Sequence, residues 1–396
     1  YLCHIFRRNL MHFDFFLPTQ IIFGRDRLQE LSELPMPGRK ALIVITNGRS
    51  MRNLGYLDRV IGLLAAQGVD AEIFDKVLPN PIEKHVMEAA EFARNSNCDF
   101  VVGLGGGSAI DSAKAIAVMV RNPGTYWDYV KENKDITEEV LPIIAIPTTA
   151  GTGTEADPWT VITNTETNEK IGYGIPETFP ALAIVDPALM TSVPKKLTAY
   201  QGMDAFFHAA EGYLACVAQP ISDLLALEAI RQITKFLPQA VEDGNNLQAR
   251  EQMAWASTAA GIIESTSSCI SEHSMEHALS AFYPDLPHGA GLVALSVPYF
   301  SYLLKKDAEK VKVRYIEMGR AMGEEGNTPE IFIAALKKLI ASVGLGDLKL
   351  SDWGIKADEA EKLAANSFEA MGTLYELDPV ALNEEDAKCI IFDAIK

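Results

Sequence analysis

The chain has 396 residues, 48% hydrophobic and 22% charged, which is too long for one ordinary core and points to two or three domains. Its 53 acidic against 35 basic residues give a formal charge of −18. Such a surface repels phosphate backbones and anionic lipid, so neither nucleic acid nor membrane is an expected partner. No apolar run reaches the roughly 18 residues of a spanning helix. The opening Tyr1–Leu10 lacks the pattern of a signal peptide and reads as an upstream extension before Met11. Five scattered cysteines form no Cys-x-x-Cys pair, which argues against a disulfide framework and makes a cytoplasmic location the default expectation.

In chain order, strand-like runs fall at Gln20–Phe23, Ala41–Thr46, Ala71–Val77, Phe100–Leu104, Ile143–Pro147 and Ala181–Asp186. Helical spacing fills Leu54–Gln67, Ile82–Asn95 and Ser108–Val120, and Thr160–Tyr173 reads as a hairpin. This rhythm predicts a parallel α/β sheet with helices on both faces, Rossmann-like. After Asp186 the pattern turns wholly helical: Thr198–Val217, Ile221–Phe236, Gln248–Ile263, Glu272–Phe282, Lys306–Met322, Pro329–Val343 and Ala357–Phe368. An N-terminal α/β domain (11–187) and an all-helical C-terminal domain (188–396) follow, with a ligand site expected in the cleft between them.

Three motifs carry chemistry. In Val101–Lys114 an apolar strand runs into Gly105-Gly106-Gly107 and then a helix, and glycines let a backbone approach a diphosphate closely. Ser108 and Asp111 there fit a capping box that would fix the helix start. The bland alternative is a strand-to-helix turn needing small residues, since the third glycine of the usual dinucleotide fingerprint is missing. Pro147–Glu155 adds a second donor-rich loop after a buried-looking strand, with Thr148, Thr149 and Thr152. Two such loops at strand carboxyl ends mark a dinucleotide site, with Gly106 and Asp111 among the candidate contacts.

The third motif is the histidine distribution. Asp204 and His208 stand at i and i+4, His273 and His277 repeat that spacing, and His288 follows in a segment read as a loop. A lone histidine in an apolar helix is usually a packed core residue. A carboxylate with several imidazoles in such surroundings is costly to bury without a cation. One oxygen and several nitrogens without sulfur suit Fe²⁺ or Zn²⁺. The net charge near +1 left on the ion would stabilise an alkoxide, which must form before hydride leaves an alcohol carbon.

Gly105–Lys114, Pro147–Glu155, Gly202–Glu211 and His273…Pro287-His288-Gly289, with Phe15–Gly24 and Leu377–Ala387, together resemble the iron-containing alcohol dehydrogenases in order and spacing. The resemblance implies a dinucleotide-binding domain, a helical metal domain, and a homo-oligomer of dimer size or larger. It implies a hydride passed between an alcohol or aldehyde and a nicotinamide cofactor. It places the metal ligands on Asp204, His208, His273 and His288, and sets His277 beside the metal without making it a primary ligand. His277 is then a candidate proton carrier or substrate-orienting group, against the alternative of a packing histidine. Cofactor contacts fall on Gly107, Ser108, Thr148, Thr149 and Thr152, and also on Asn80 and Lys170. Glu272 and Glu276, flanking the histidines, depart from many relatives. Glycerol dehydrogenase and dehydroquinate synthase share the fold, but His208, four residues after the aspartate, favours the alcohol dehydrogenase branch. A non-catalytic metal-binding protein is the remaining alternative.

Cofactor choice turns on the end of the strand Ala41–Thr46. No carboxylate lies between Ala41 and Leu57, and Arg49 and Arg52 follow closely. Neutral Thr46 at the strand end permits NADP, with NAD as the alternative.

Overall fold

The computed structural model describes residues 12–395, so the expectation for the first ten residues lies outside it. Eight strands are present among the described residues: β1 (Gln20–Phe23), β2 (Lys40–Thr46), β3 (Asp70–Val77), β4 (Phe100–Gly105), β5 (Ile143–Pro147), β6 (Thr160–Asn164), β7 (Glu169–Tyr173) and β8 (Leu182–Val185). Six form one parallel sheet in the order β1-β8-β5-β4-β2-β3. β6 and β7 pair antiparallel, from Thr160 opposite Tyr173 to Asn164 opposite Glu169, which is the predicted hairpin.

The strand β2 shows why the sheet is buried on both faces. Its unbroken apolar run sends Ala41, Ile43 and Ile45 into one core with Leu57, Val60 and Leu64, and Leu42 and Val44 into another with Ala89, Ala90 and Ile116. Continuous apolar strands of this kind belong in parallel sheets covered on both sides. The helices of this half are α1 (Ser50–Asn53), α2 (Tyr56–Ala65), α3 (Glu83–Asn95), α4 (Gly107–Met119) and α5 (Tyr126–Val130). From β2 the chain crosses outward to β3, and from β4 it crosses the opposite way to β5. The carboxyl ends of neighbouring β2 and β4 therefore flank a topological switch point, where open sheets bind ligands.

The start of α4 differs from the expected capping box. The cap position is Gly106, and no side chain caps the helix. Ser108 lies inside the first turn, and its hydroxyl donates to Pro79 O. Asp111 instead accepts from Thr154 Oγ1 at 2.7 Å and from the Val161 N–H at 3.0 Å. The loop that packs against α4 takes the carboxylate, so the helix N-terminus is left without a side-chain partner.

The second half comprises α6 (Lys195–Leu214), α7 (Pro220–Glu242), α8 (Leu247–Ser267), α9 (Ser271–Phe282), α10 (His288–Lys306), α11 (Ala308–Ala321), α12 (Glu330–Ser342), α13 (Ala360–Met371) and α14 (Glu384–Ile395). Two of these lie outside the helices predicted from spacing, α10 and α14. His288 is the first residue of α10, not part of a loop. The glycines that read as loop residues are small because neighbours crowd them. A Cβ on Gly289 would sit 2.2 Å from Tyr200 O, and one on Gly291 would sit 2.8 Å from Glu276 Cγ.

Candidate active site

The helix α6 is buried from Gly202 through Leu214, so its polar residues have nowhere to point but inward. Asp204 and His208 project toward α9, which supplies His273, and toward the first turn of α10, which supplies His288. Asp204 Oδ1 stands 3.9 Å from His208 Nε2, 3.8 Å from His273 Nε2 and 3.3 Å from His288 Nε2. The four donor atoms all lie within 4.8 Å of one another. Asp204 Oδ1 and His273 Nε2 are buried and have no hydrogen-bond partner. Buried polar atoms are rarely left so, and orphans that converge from separate helices suit a shared cation. One carboxylate oxygen and three imidazole nitrogens are a donor set for Fe²⁺ or Zn²⁺.

The far sides of two histidines are held by carboxylates. His273 Nδ1 donates to Glu211 Oε1, and His288 Nδ1 donates to Glu276 Oε2, which leaves each Nε2 aimed at the common point. Partners of this kind fix the tautomer and raise the basicity of a metal-binding imidazole. Burial drives the His208 pKa down to about 3 against the pull of Asp204, which keeps that ring neutral. Burial opposes charge on Asp204 too, but the imidazoles of His208 and His288 hold its carboxyl well below the usual range.

Facing the quartet is the sheet half. Gly106 and Gly107 lie against the threonine loop, where a Cβ on Gly107 would meet Thr152 Cγ2 at 2.6 Å. Gly153, at φ 67°, presses on α8 so closely that a Cβ on Gly261 would come within 2.0 Å of Gly153 O. Between the halves runs a cleft of about 890 Å³, its mouth included. Of the predicted cofactor residues, Asn80, Gly107, Ser108, Asp111, Thr152 and Lys170 line it, together with His208, His273, His277 and His288. Thr46, Gly106, Thr148 and Thr149 are not in its lining; Thr148 is buried, with its N–H on Gly105 O at 2.8 Å.

Two lining residues tie the halves together. Asn80 Nδ2 donates to Pro284 O at 2.6 Å. Lys170, on the hairpin, donates to Ser280 Oγ at 2.8 Å and lies 3.4 Å from Glu276 Oε2 and 3.5 Å from His288 Nδ1. His277 contacts Met371 Sδ through Nδ1 at 2.9 Å, and its ring lies 5.5 Å from that of His288. Burial and nearby Lys170 push its pKa well down, so the ring is neutral. Arg52 is paired with Asp75 Oδ2 at 2.7 Å, an acid from β3 that sequence proximity did not reveal. Arg49 is exposed and carries no such pair among the described residues.

Sequence reasoning left Glu211 and Glu264 unassigned. Glu211 completes the i, i+4, i+7 face begun by Asp204 and His208, a signal that could have found it. Glu264 is a lone acid at the end of the apolar run Ala259–Ile263, and its Oε2 lies 3.7 Å from His208 Nε2.

Comparison with known proteins agrees with this geometry. The family model "Iron-containing alcohol dehydrogenase" matches residues 18–187, and that for the C-terminal part of the Fe-containing alcohol dehydrogenase family matches residues 198–395. The 1,3-propanediol dehydrogenase of Citrobacter freundii is 35% identical over 87% of this chain and 89% of its own length. The NADPH-dependent butanol dehydrogenase of Clostridium saccharobutylicum is 32% identical over 95% of this chain and 96% of its own. A crystal structure of a halo-thermophilic archaeal alcohol dehydrogenase from a Red Sea brine pool superposes with a TM-score of 0.93 at 36% identity, covering 97% of this chain and 99% of that one. With both family models matched in succession along one chain, this protein belongs to the iron-containing alcohol dehydrogenase family.

Proposed function

We propose that the chain passes a hydride between a short-chain alcohol, diol or aldehyde and a nicotinamide dinucleotide in the cleft between residues 11–187 and 188–396. The observation that carries this is the quartet of convergent, partly orphaned donor atoms facing a glycine loop across that cleft. When bound, a divalent ion would supply the positive charge that favours loss of the alcohol proton, and the nicotinamide the hydride acceptor.

Asp204, His208, His273 and His288 are the proposed ligands. Glu211 and Glu276 hold two of the rings in register. Gly106, Gly107 and the uncapped first turn of α4 are suited to a diphosphate, with Ser108 and Thr152 beside them. Thr148, Thr149 and Asp111 shape that loop from behind, and Asn80 and Lys170 flank it across the cleft. His277, neutral and at the cleft wall, is positioned to accept a proton from the reacting alcohol or pass it on.

For the dinucleotide we favour NADP(H), on neutral Thr46 at the end of β2 and unpaired, exposed Arg49; Arg52 is already neutralised by Asp75. A homo-oligomer in the cytoplasm is the proposed setting, supported by exposed apolar Leu224 and Val313 and by Cys98 and Cys269, which are buried and unbridged. Among the described residues no helix is long and apolar enough to cross a membrane.

The test is a panel of short alcohols and aldehydes with NADPH and NADH under anaerobic, iron-replete conditions. Turnover that disappears on chelation and returns with Fe²⁺ or Zn²⁺ is expected, and full activity in metal-stripped protein would overturn the reading. In Thr46→Asp the added carboxylate should lower kcat/KM for NADPH relative to NADH by about ten- to a hundredfold. A wild type preferring NADH tenfold would overturn the NADP(H) assignment.

A further inference from the structure

Three acids line the cleft, and two of them are hydrogen-bonded. Asp111 accepts from Thr154 and Val161, and Asp157 accepts from Lys114 and from the Trp159 N–H. The third, Glu264, makes no hydrogen bond to any described residue. It occupies the last turn of α8, its side chain is only 16% exposed, and that exposure is toward the cleft. Among the described residues no lysine or arginine pairs with it, and the one basic side chain beside it is His208, with Nε2 at 3.7 Å. Lys114 is saturated by Thr154, Asp157 and Trp159, and Lys170 is held by Ser280 and Glu276. Beside it in the lining stands Cys269, whose Sγ lies within 4.8 Å of the carboxylate and makes no hydrogen bond to it.

A carboxyl group nearly removed from water with its acceptors unserved costs stability unless a ligand supplies the donor. Its place identifies the donor. Glu264 Oε2 is 3.7 Å from His208 Nε2, the nitrogen that faces Asp204, so it stands immediately beside the point on which the quartet converges. A group reaching it must therefore be only one or two carbons from the reacting carbon. An ammonium group there would have to sit against a site whose ion and single aspartate already carry net positive charge. A neutral hydroxyl meets no such repulsion.

We propose that Glu264 accepts a hydrogen bond from the second hydroxyl of a short diol, and so makes this cleft select diols over monoalcohols of the same length. The inference rests on the alcohol dehydrogenase reading above and names its substrate class. A site built to bond a hydroxyl discriminates strongly against the analogue lacking it, because its own polar group is then left unpaired.

The experiment measures kcat/KM for 1,3-propanediol, 1,2-propanediol and 1-propanol with metal-loaded wild type, Glu264→Leu and Glu264→Gln. Chelator competition for the metal and dinucleotide Kd are measured on the same samples. Wild type should favour at least one diol over 1-propanol by about tenfold or more. Glu264→Leu should erase or invert that ratio, chiefly through KM, with metal affinity and dinucleotide Kd unchanged within about twofold. Glu264→Gln keeps an acceptor and should keep most of the preference, which also guards against misfolding of the leucine variant. A diol ratio unchanged in Glu264→Leu would overturn the proposal. So would a tenfold loss of metal affinity with equal loss on all three alcohols, since Glu264 would then be a ligand. A loaded wild type that oxidises none of the three would overturn the dehydrogenase reading together with this one, whereas good but equal use of all three would overturn this one alone.

Discussion

Lys114 in the sheet half is completely buried, and its ammonium meets Thr154 Oγ1 at 2.6 Å, Asp157 O and Oδ1 at 2.9 Å each, and Trp159 O at 2.7 Å. Asp204 in the helical half is also buried, but its Oδ1 has no hydrogen-bond partner and faces three imidazole nitrogens at 3.3 to 3.9 Å. Both clusters gather charge from several elements, but only the first closes upon itself. A closed network holds a loop in shape; an open one is complete only with something added. The difference separates a structural polar cluster from a binding one more sharply than residue type does, since Asp and Lys in a cleft would suit either.

The sharpest way to break this contrast is to remove a proposed ligand. His288→Ala should lower turnover by about a thousandfold or more and leave less than about a tenth of an ion per chain, while dinucleotide binding stays intact. Metal analysis and fluorescence titration with NADPH report the two. An active His288→Ala protein would show that the open cluster is not a metal site.

The closed network should answer in stability. Lys114→Met strands the buried Asp157 carboxylate and should cost about 3–5 kcal/mol of unfolding free energy, read by urea titration. In metal-free protein His208→Ala should cost less, because its ring makes no side-chain hydrogen bond and its orphaned Nδ1 goes with it. Equal losses in the two variants would erase the distinction.

Glu211→Gln sharpens the picture one shell out. It keeps the shape but weakens the hold on His273 Nδ1, and should reduce metal affinity about ten- to a hundredfold in a chelator competition. His277→Asn should have the smallest effect, a several-fold fall in kcat with the alkaline or acid limb of the pH profile displaced. An unchanged profile would make His277 a packing residue.

Much of this was legible in the sequence because it is local. The i, i+4 spacings of Asp204 with His208 and of His273 with His277 are properties of single helices. The runs of β2, β4 and β5 are apolar enough to demand burial on both faces. What escaped depends on contacts between elements. Gly289 and Gly291 look like loop residues until Tyr200 and Glu276 are seen against them. Asp111 looks like a cap until Thr154 arrives from 43 residues away. Asp75 reaches Arg52 only because β3 lies beside β2. The acid Glu264 has no periodic partner at all, and only packing of α8 against α6 sets it beside His208.

The rear face of α9 has a bearing on how the protein is made. Ser274 Oγ donates to Ser367 O at 2.8 Å, across 93 residues of chain, and Met371 closes on His277 from the same direction. The helix that carries His273 thus leans on a segment translated much later. At ordinary ribosomal speeds of about 5–20 residues per second, that gap is roughly 5–20 s. During this interval the proposed ligand His273 exists but the backing of its helix does not. A metal ion held by this site would then be acquired late, after nearly the whole chain has emerged.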